Sequence, residues 1–308
     1  VTAAPGLALR CLALDALAVS TSDLLRRHGI DSVLLKGAGL ARLLGTERLY
    51  ADVDLLVAPD TITAAQDALR GAGYRMARPH DRYDIHAPWH EQPWYAPGPV
   101  PLTVDLHRGF AGVGDHDELW RSLRGAAYHL DLAGGRALVP DDGGTALLAA
   151  LHAAYPGGAG KPARDLAHAL AVLCPSVWET AGQLAAGCDA VPAFTVGLRV
   201  LPAGAAVAAR LGLSSTPDPS PAWLAARLAT PTAVGLARMA ESSGLRDRLR
   251  LLARLALPSP AYMRRGEAGA GRGRWGLLRA YVRRIGRHLR RLPRALRELR
   301  TARRRHHD

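Results

Sequence analysis

Residues 33–57 read VLLKGAGLARLLGTERLYADVDLLV, and the rest of the chain organises around them. Val33 to Leu35 are apolar and β-prone, and Lys36-Gly37-Ala38-Gly39 breaks the run. Leu40 to Leu44 can make one or two helical turns. A turn of this kind leaves backbone N–H groups at a helix start, where a phosphate is held. A second strand follows, carrying Asp52 and Asp54. Their spacing of two puts both carboxylates on one face, while Val53 points the other way into a core. Two carboxylates beside such a turn suit a hard divalent cation carrying a nucleotide. Without the turn, the same pair reads as solvated charge at a sheet edge.

Taken together, LLKG at 34–37, Arg48 four residues before Asp52, DVDLLV at 52–57 and VDLH at 104–107 resemble the nucleotidyltransferase superfamily related to DNA polymerase β. More closely, they resemble the bacterial family described only as uncharacterised nucleotidyltransferases. The resemblance covers roughly residues 20–175. It implies an α+β fold: a mixed-sheet nucleotidyltransferase catalytic domain, then an α-helical domain, then a basic amphipathic C-terminal helix. It implies Asp52, Asp54 and Asp105 as catalytic and metal-binding residues holding two Mg²⁺ ions, and an NTP as co-substrate. Lys36, Gly37, Ala38 and Arg48 fall at the nucleotide. The superfamily turn is Gly-Ser, whereas this chain has Gly37-Ala38 and lacks the hydroxyl. His107 lies two residues after Asp105 on the same face and can orient that carboxylate, touch a substrate, or be a buried structural histidine. His152 and Asp165 resemble polar positions kept after the catalytic domain, either closing the pocket or acting as ordinary paired groups. Lys36 and Arg48 read as phosphate ligands or as surface ion pairs. Trp89, Trp94 and Trp120 read as core, or as stacking surfaces for a base.

The implied reaction moves NMP from an NTP to a hydroxyl or phosphate of an acceptor, releasing pyrophosphate. A small-molecule or peptide acceptor is expected, in a biosynthetic tailoring role. Two other readings stay open: a degenerate member acting as a binding or regulatory partner, and an RNA-modifying transferase.

At 308 residues the chain can bury a sizeable core. Cys11, Cys174 and Cys188 are too few and too far apart for a disulfide framework or a zinc site, which fits a reducing cytoplasm. The chain shows no basic start leading into an apolar run, and no apolar stretch of the ~18 residues that a spanning helix needs. Only Lys36 and Lys161 are lysines among 40 basic residues, which raises the interest of Lys36.

The formal charge of +13 is uneven: 16 of the 40 basic and 3 of the 27 acidic residues lie in 264–308, leaving 24 of each elsewhere. A nucleic-acid enzyme usually carries its basic surface around the active site. This body is balanced, so nucleic acid is the weaker partner expectation.

Along the chain, a helix is expected over 6–28, the core unit at 32–57, and a helix from Pro59-Asp60 to Leu69. Strands follow at 74–77, 81–89 and 102–107, with helices on one face of the sheet. A helical turn surrounds Trp120, and a hairpin precedes Pro140 with Gly134-Gly135 at its tip. The division is a catalytic domain over 1–140, a helical domain over 141–263 and a basic tail over 264–308. Residues 257–273 read as a linker. In the tail, apolar residues at 275, 278, 282, 285, 289, 292, 296 and 299 keep a 3-4 spacing on an Arg-coated helix, which Pro293 should kink or interrupt. Such a tail can fold over its own protein, lie on an anionic membrane surface at the inner face of a membrane, or bind nucleic acid or an acidic peptide.

Overall fold

A computed structural model describes residues 5–45, 50–76, 90–100, 102–154, 160–213 and 273–307, with residues 236, 257, 260 and 263. The order of elements is α1 (Pro5–Arg27), β1 (Ser32–Leu34), α2 (Ala38–Leu44), β2 (Val53–Val57), a 3-10 turn at Pro59–Thr61 and α3 (Ile62–Gly71). Then come β3 (Arg75–Met76), β4 (Glu91–Tyr95), β5 (Thr103–His107), α4 (His116–Gly125), β6 (Tyr128–Leu132) and β7 (Gly135–Val139). Helices α5 (Asp142–Ala153), α6 (Lys161–Val172), α7 (Pro175–Gly187), α8 (Val191–Leu198), α9 (Pro202–Arg210) and α10 (Gly273–His307) complete the described chain.

Five strands form one sheet in the order β1-β2-β5-β4-β3, and β6 and β7 form a separate hairpin. The β2–β5 pair is parallel and the other pairs are antiparallel, so the sheet is mixed and the fold is α+β. Every residue of β2 is buried. Strand alternation divides these side chains between two cores. Val53, Leu55 and Val57 pack with Leu14 and Leu25 of α1 and Leu69 of α3. Leu56, with Val33 and Leu35 beside it, packs with residues of α4 to α9. Helices therefore cover both faces, not the one face the sequence pattern suggested. Apart from its aspartate, β2 is therefore apolar on both faces.

The composition changes at residue 140 because strands give way to helices there, yet the second core draws on residues from both sides of that point. At its centre, α5 starts at Asp141, whose side chain accepts from Gly144 N at 2.8 Å. Residues 143–151 of α5 are all buried, as a helix surrounded by α6, α7 and α8 must be. Gly197 of α8 allows this: a Cβ there would lie 1.8 Å from the carbonyl oxygen of Ala150. The close crossing fixes α5, and with it His152.

Several boundaries differ from the sequence expectation. Strand β4 is absent from it because Pro93 sits inside the strand, and a proline ordinarily argues against one. The helical turn around Trp120 is a ten-residue helix, capped by Asp115 through Glu118 N at 2.9 Å. The hairpin turns at Ala133-Gly134, one residue earlier than expected, both with positive φ as a tight two-residue turn requires. Helix α10 runs through Pro293 instead of stopping there. Pro293 lies on an exposed side, where water can take the Leu289 carbonyl that loses its donor. The strand expected at 81–89, with Trp89, lies outside the described residues, as do residues 214–256 of the expected helical domain, apart from residue 236, and most of the 257–273 linker.

Candidate active site

The site is built on the sheet face that looks toward α5 and α6. Parallel pairing sets Asp54 of β2 directly beside Asp105 of β5. Adjacent strands lie ~4.8 Å apart, so the two carboxylates are neighbours on one face. Asp52, two residues before Asp54, shares that face. On the next strand Glu91 pairs with His107, adding a fourth carboxylate. On the other side, Leu35 N donates to the Asp54 carbonyl at 3.0 Å, prolonging the β1–β2 ladder and bringing Lys36 to the carboxylate of Asp54. The chain then turns at Gly37, with φ 73°, a conformation that favours glycine, and enters α2. The ring of Tyr50 lies against Gly37 and its hydroxyl donates to the Asp15 carboxylate.

These groups line a cleft of about 260 Å³: Lys36, Gly37, Tyr50, Asp52, Asp54, Glu91 and Asp105 on the sheet side, and His152 and Lys161 on the helical side. Asp54 is its anchor. Lys36 Nζ and His107 Nε2 each lie 3.0 Å from Asp54 Oδ1. His107 is fully buried, stacked on Phe110 with 6.1 Å between ring centres, and its Nε2 is 3.8 Å from Glu91 Oε2. Lys36 Nζ also sits 5.5 Å from the centre of the Phe110 ring.

Burial and charge separate the three aspartates. Burial alone would raise Asp54, but the Lys36 ammonium and the His107 hydrogen bond overcome it and hold the carboxyl well below the usual range. Burial, then the Asp54 charge, raises Asp52. The same two causes push Asp105 up to about 7. For Lys36 and His107 burial opposes the charge, yet the Asp54 carboxylate prevails and raises both. With Asp54 ionised, His107 donates Nε2–H to it. Its Nδ1 has no hydrogen-bond partner among the described residues. Among the described residues, no three His, Cys, Asp or Glu side chains converge closely enough to hold a metal ion.

Of the residues singled out in the sequence, Lys36, Gly37, Asp52, Asp54, Asp105 and His152 come together at the cleft. Ala38 is the first residue of α2 and packs against the core shared with α1. Arg48 lies outside the described residues. His107 orients Asp54, where its spacing had suggested Asp105. Asp165 is buried one turn after Lys161 on the same side of α6. Trp94 is fully buried in the core on the opposite face of the sheet, and Trp120 is partly buried against the helical core.

Lys161, Glu91 and Tyr50 were not anticipated as cleft residues. A signal for Lys161 exists: both lysines of the chain line this cleft, in a protein that otherwise uses arginine. Glu91 had no such mark, because Pro93 disguised its strand.

A mixed sheet with aspartates in register on adjacent strands, followed by packed helices, is the arrangement that the resemblance to the nucleotidyltransferase superfamily implies. Residues 6–174 match the family described as "Uncharacterised nucleotidyltransferase", and the chain belongs to that family. Among solved structures it is similar to a crystal structure of an antigenic nucleotidyltransferase-like protein from Paracoccidioides brasiliensis. That likeness has 15% identity and a TM-score of 0.37, covering 59% of this chain and 92% of that one, too distant to transfer any residue's role. No curated protein matches the chain.

Proposed function

We propose that the chain is a metal-dependent nucleotidyltransferase that moves NMP from an NTP to a hydroxyl or phosphate of a small-molecule or peptide acceptor. The observation that carries this is the direct register of Asp54 and Asp105, with Asp52 on the same face and both lysines of the chain lining the cleft. The acceptor oxygen forms a bond to the α-phosphorus of the NTP. The bond from that phosphorus to the bridging oxygen breaks, and pyrophosphate leaves with the electron pair.

The chain's own groups divide this work. Asp105, partly exposed at the cleft beside the buried Asp54, is the carboxylate placed to take the acceptor's proton. Lys36 and Lys161 face the phosphates from opposite walls and compensate their charge. His107 and Phe110 fix Asp54 from behind. The donor set of Asp52, Asp54, Asp105 and Glu91 is all hard oxygen, which suits Mg²⁺ in chemistry. No three of these carboxylates converge on one point here, and they would have to draw together around an ion. Two such ions, held by Asp52, Asp54 and Asp105, would supply charge neutralisation at the attacking and leaving oxygens. Uptake requires Lys36 to yield its place on Asp54, for which the triphosphate offers an alternative partner.

The second reading, a degenerate member that binds without transferring, draws on a specific observation. Lys36 and His107 both occupy Asp54 Oδ1, and Ala38 replaces the hydroxyl of the superfamily turn. Calorimetry with each NTP, with and without Mg²⁺, separates the two. An enzyme binds one NTP more tightly with Mg²⁺ and then releases pyrophosphate with acceptor. Absence of Mg²⁺-linked NTP binding sinks the catalytic reading.

Within this reading, Lys161→Ala raises the KM for the NTP about tenfold and leaves kcat within a few-fold, because the lysine holds phosphate in ground and transition states alike. Initial rates across NTP concentration check it. An unchanged KM removes Lys161 from the nucleotide site.

A further inference from the structure

Helix α10 spans 35 residues, Gly273–His307, or ~52 Å at 1.5 Å per residue. It meets the protein through its small side: Ala280 and Ala295 are fully buried, and Leu277 and Tyr281 pack around Met263. Its large apolar side chains do the opposite. Trp275, Val282 and Leu289 are 80%, 62% and 62% exposed, and Leu278, Leu296 and Ile285 are 52%, 40% and 36% exposed. On a helical wheel these six fall within a sector of ~80°. Along one border of that sector runs a row of exposed arginines at 279, 283, 287, 290, 294 and 297.

We propose that this face is a docking surface for an anionic lipid bilayer, with α10 lying in the plane of the interface. The exposed stripe needs an apolar medium, and the positive charge along its border favours a medium edged with negative charge. Anionic headgroups above acyl chains supply both in this geometry. Nucleic acid matches the arginines and leaves Val282 and Leu289 in water. A second copy of the helix covers the stripe, but it sets arginine rows against each other, with Glu298 the one acidic residue in 273–307 to offset them. No helix among the described residues is long and apolar enough to cross a membrane, so the contact is peripheral. No residue of α10 lines the cleft, and the proposal does not depend on the reaction proposed there.

The test is flotation of the full chain with vesicles of phosphatidylcholine alone, or with about a third phosphatidylglycerol. Two triple variants accompany it: Leu278→Ser/Val282→Ser/Leu289→Ser, and Arg279→Gln/Arg283→Gln/Arg290→Gln. All six positions are exposed, so both variants keep the fold, which far-ultraviolet circular dichroism checks. The parent floats with the anionic vesicles only, and raising salt from about 0.1 to 0.5 M weakens it. Each triple variant loses about a hundredfold in vesicle affinity. Full binding by the serine variant would show that charge alone acts and overturns the proposal. So does failure of the parent to bind anionic vesicles, whether it then binds an RNA oligonucleotide or forms a dimer that the serine variant abolishes.

Discussion

The Asp54→Asn protein loses transfer activity by roughly 10³-fold or more, the scale set by removing preorganised charge from a transition state. It also loses stability, by about 3 kcal/mol, because two buried groups lose the charge that justifies them. Lys36 and His107 both rest on Asp54 Oδ1, and His107 is fully buried. Asparagine can still accept from His107 but cannot neutralise a raised-pKa lysine and imidazole together. Pyrophosphate release and urea unfolding measure the two effects separately. Loss of activity with unchanged stability would deny Asp54 its structural part. Retained activity would remove it from the reaction.

Asp105→Asn is expected to behave in the reverse sense, abolishing transfer while strengthening the metal-free fold. The folded pKa of Asp105 is about 7, above the unfolded value of ~3.9. Protonation therefore favours the folded state. That contribution is full below ~pH 4 and is lost as pH rises through 7. At pH 8 in chelator, the parent carries an ionised Asp105 beside the ionised Asp54, and the variant does not. Asp105 is only partly buried, so solvent screens some of the repulsion. The variant should melt about 5 °C above the parent at pH 8, with the gap narrowing toward pH 5. Added Mg²⁺ should raise the Tm of the parent more than that of the variant. Equal melting at both pH values would mean that no repulsion is stored at Asp105.

Much of this architecture was legible in the chain. Val33 to Leu35 and Leu55 to Val57 are apolar β-prone runs, Gly37 breaks the first, and a spacing of two commits Asp52 and Asp54 to one face whatever surrounds them. Period-2 geometry is local, so a sequence settles it. The same holds for the 3-4 stripe of the tail. Contacts between distant residues are another matter. Strand pairing brought Asp105 beside Asp54 and turned His107, 53 residues from Asp54, into that carboxylate's support. The crossing of α5 and α8 set His152 over the cleft, and the start of α6 placed Lys161 there. Glu91 joined through a strand that Pro93 concealed. The stripe of α10 could be read as apolar from its spacing, but whether it faced the protein or the solvent could not. Its direction depends on which side of the helix packs more closely, and Ala280 and Ala295 allow a nearer approach than the leucines do. Periodicity assigns a residue to a face; only packing decides what that face meets.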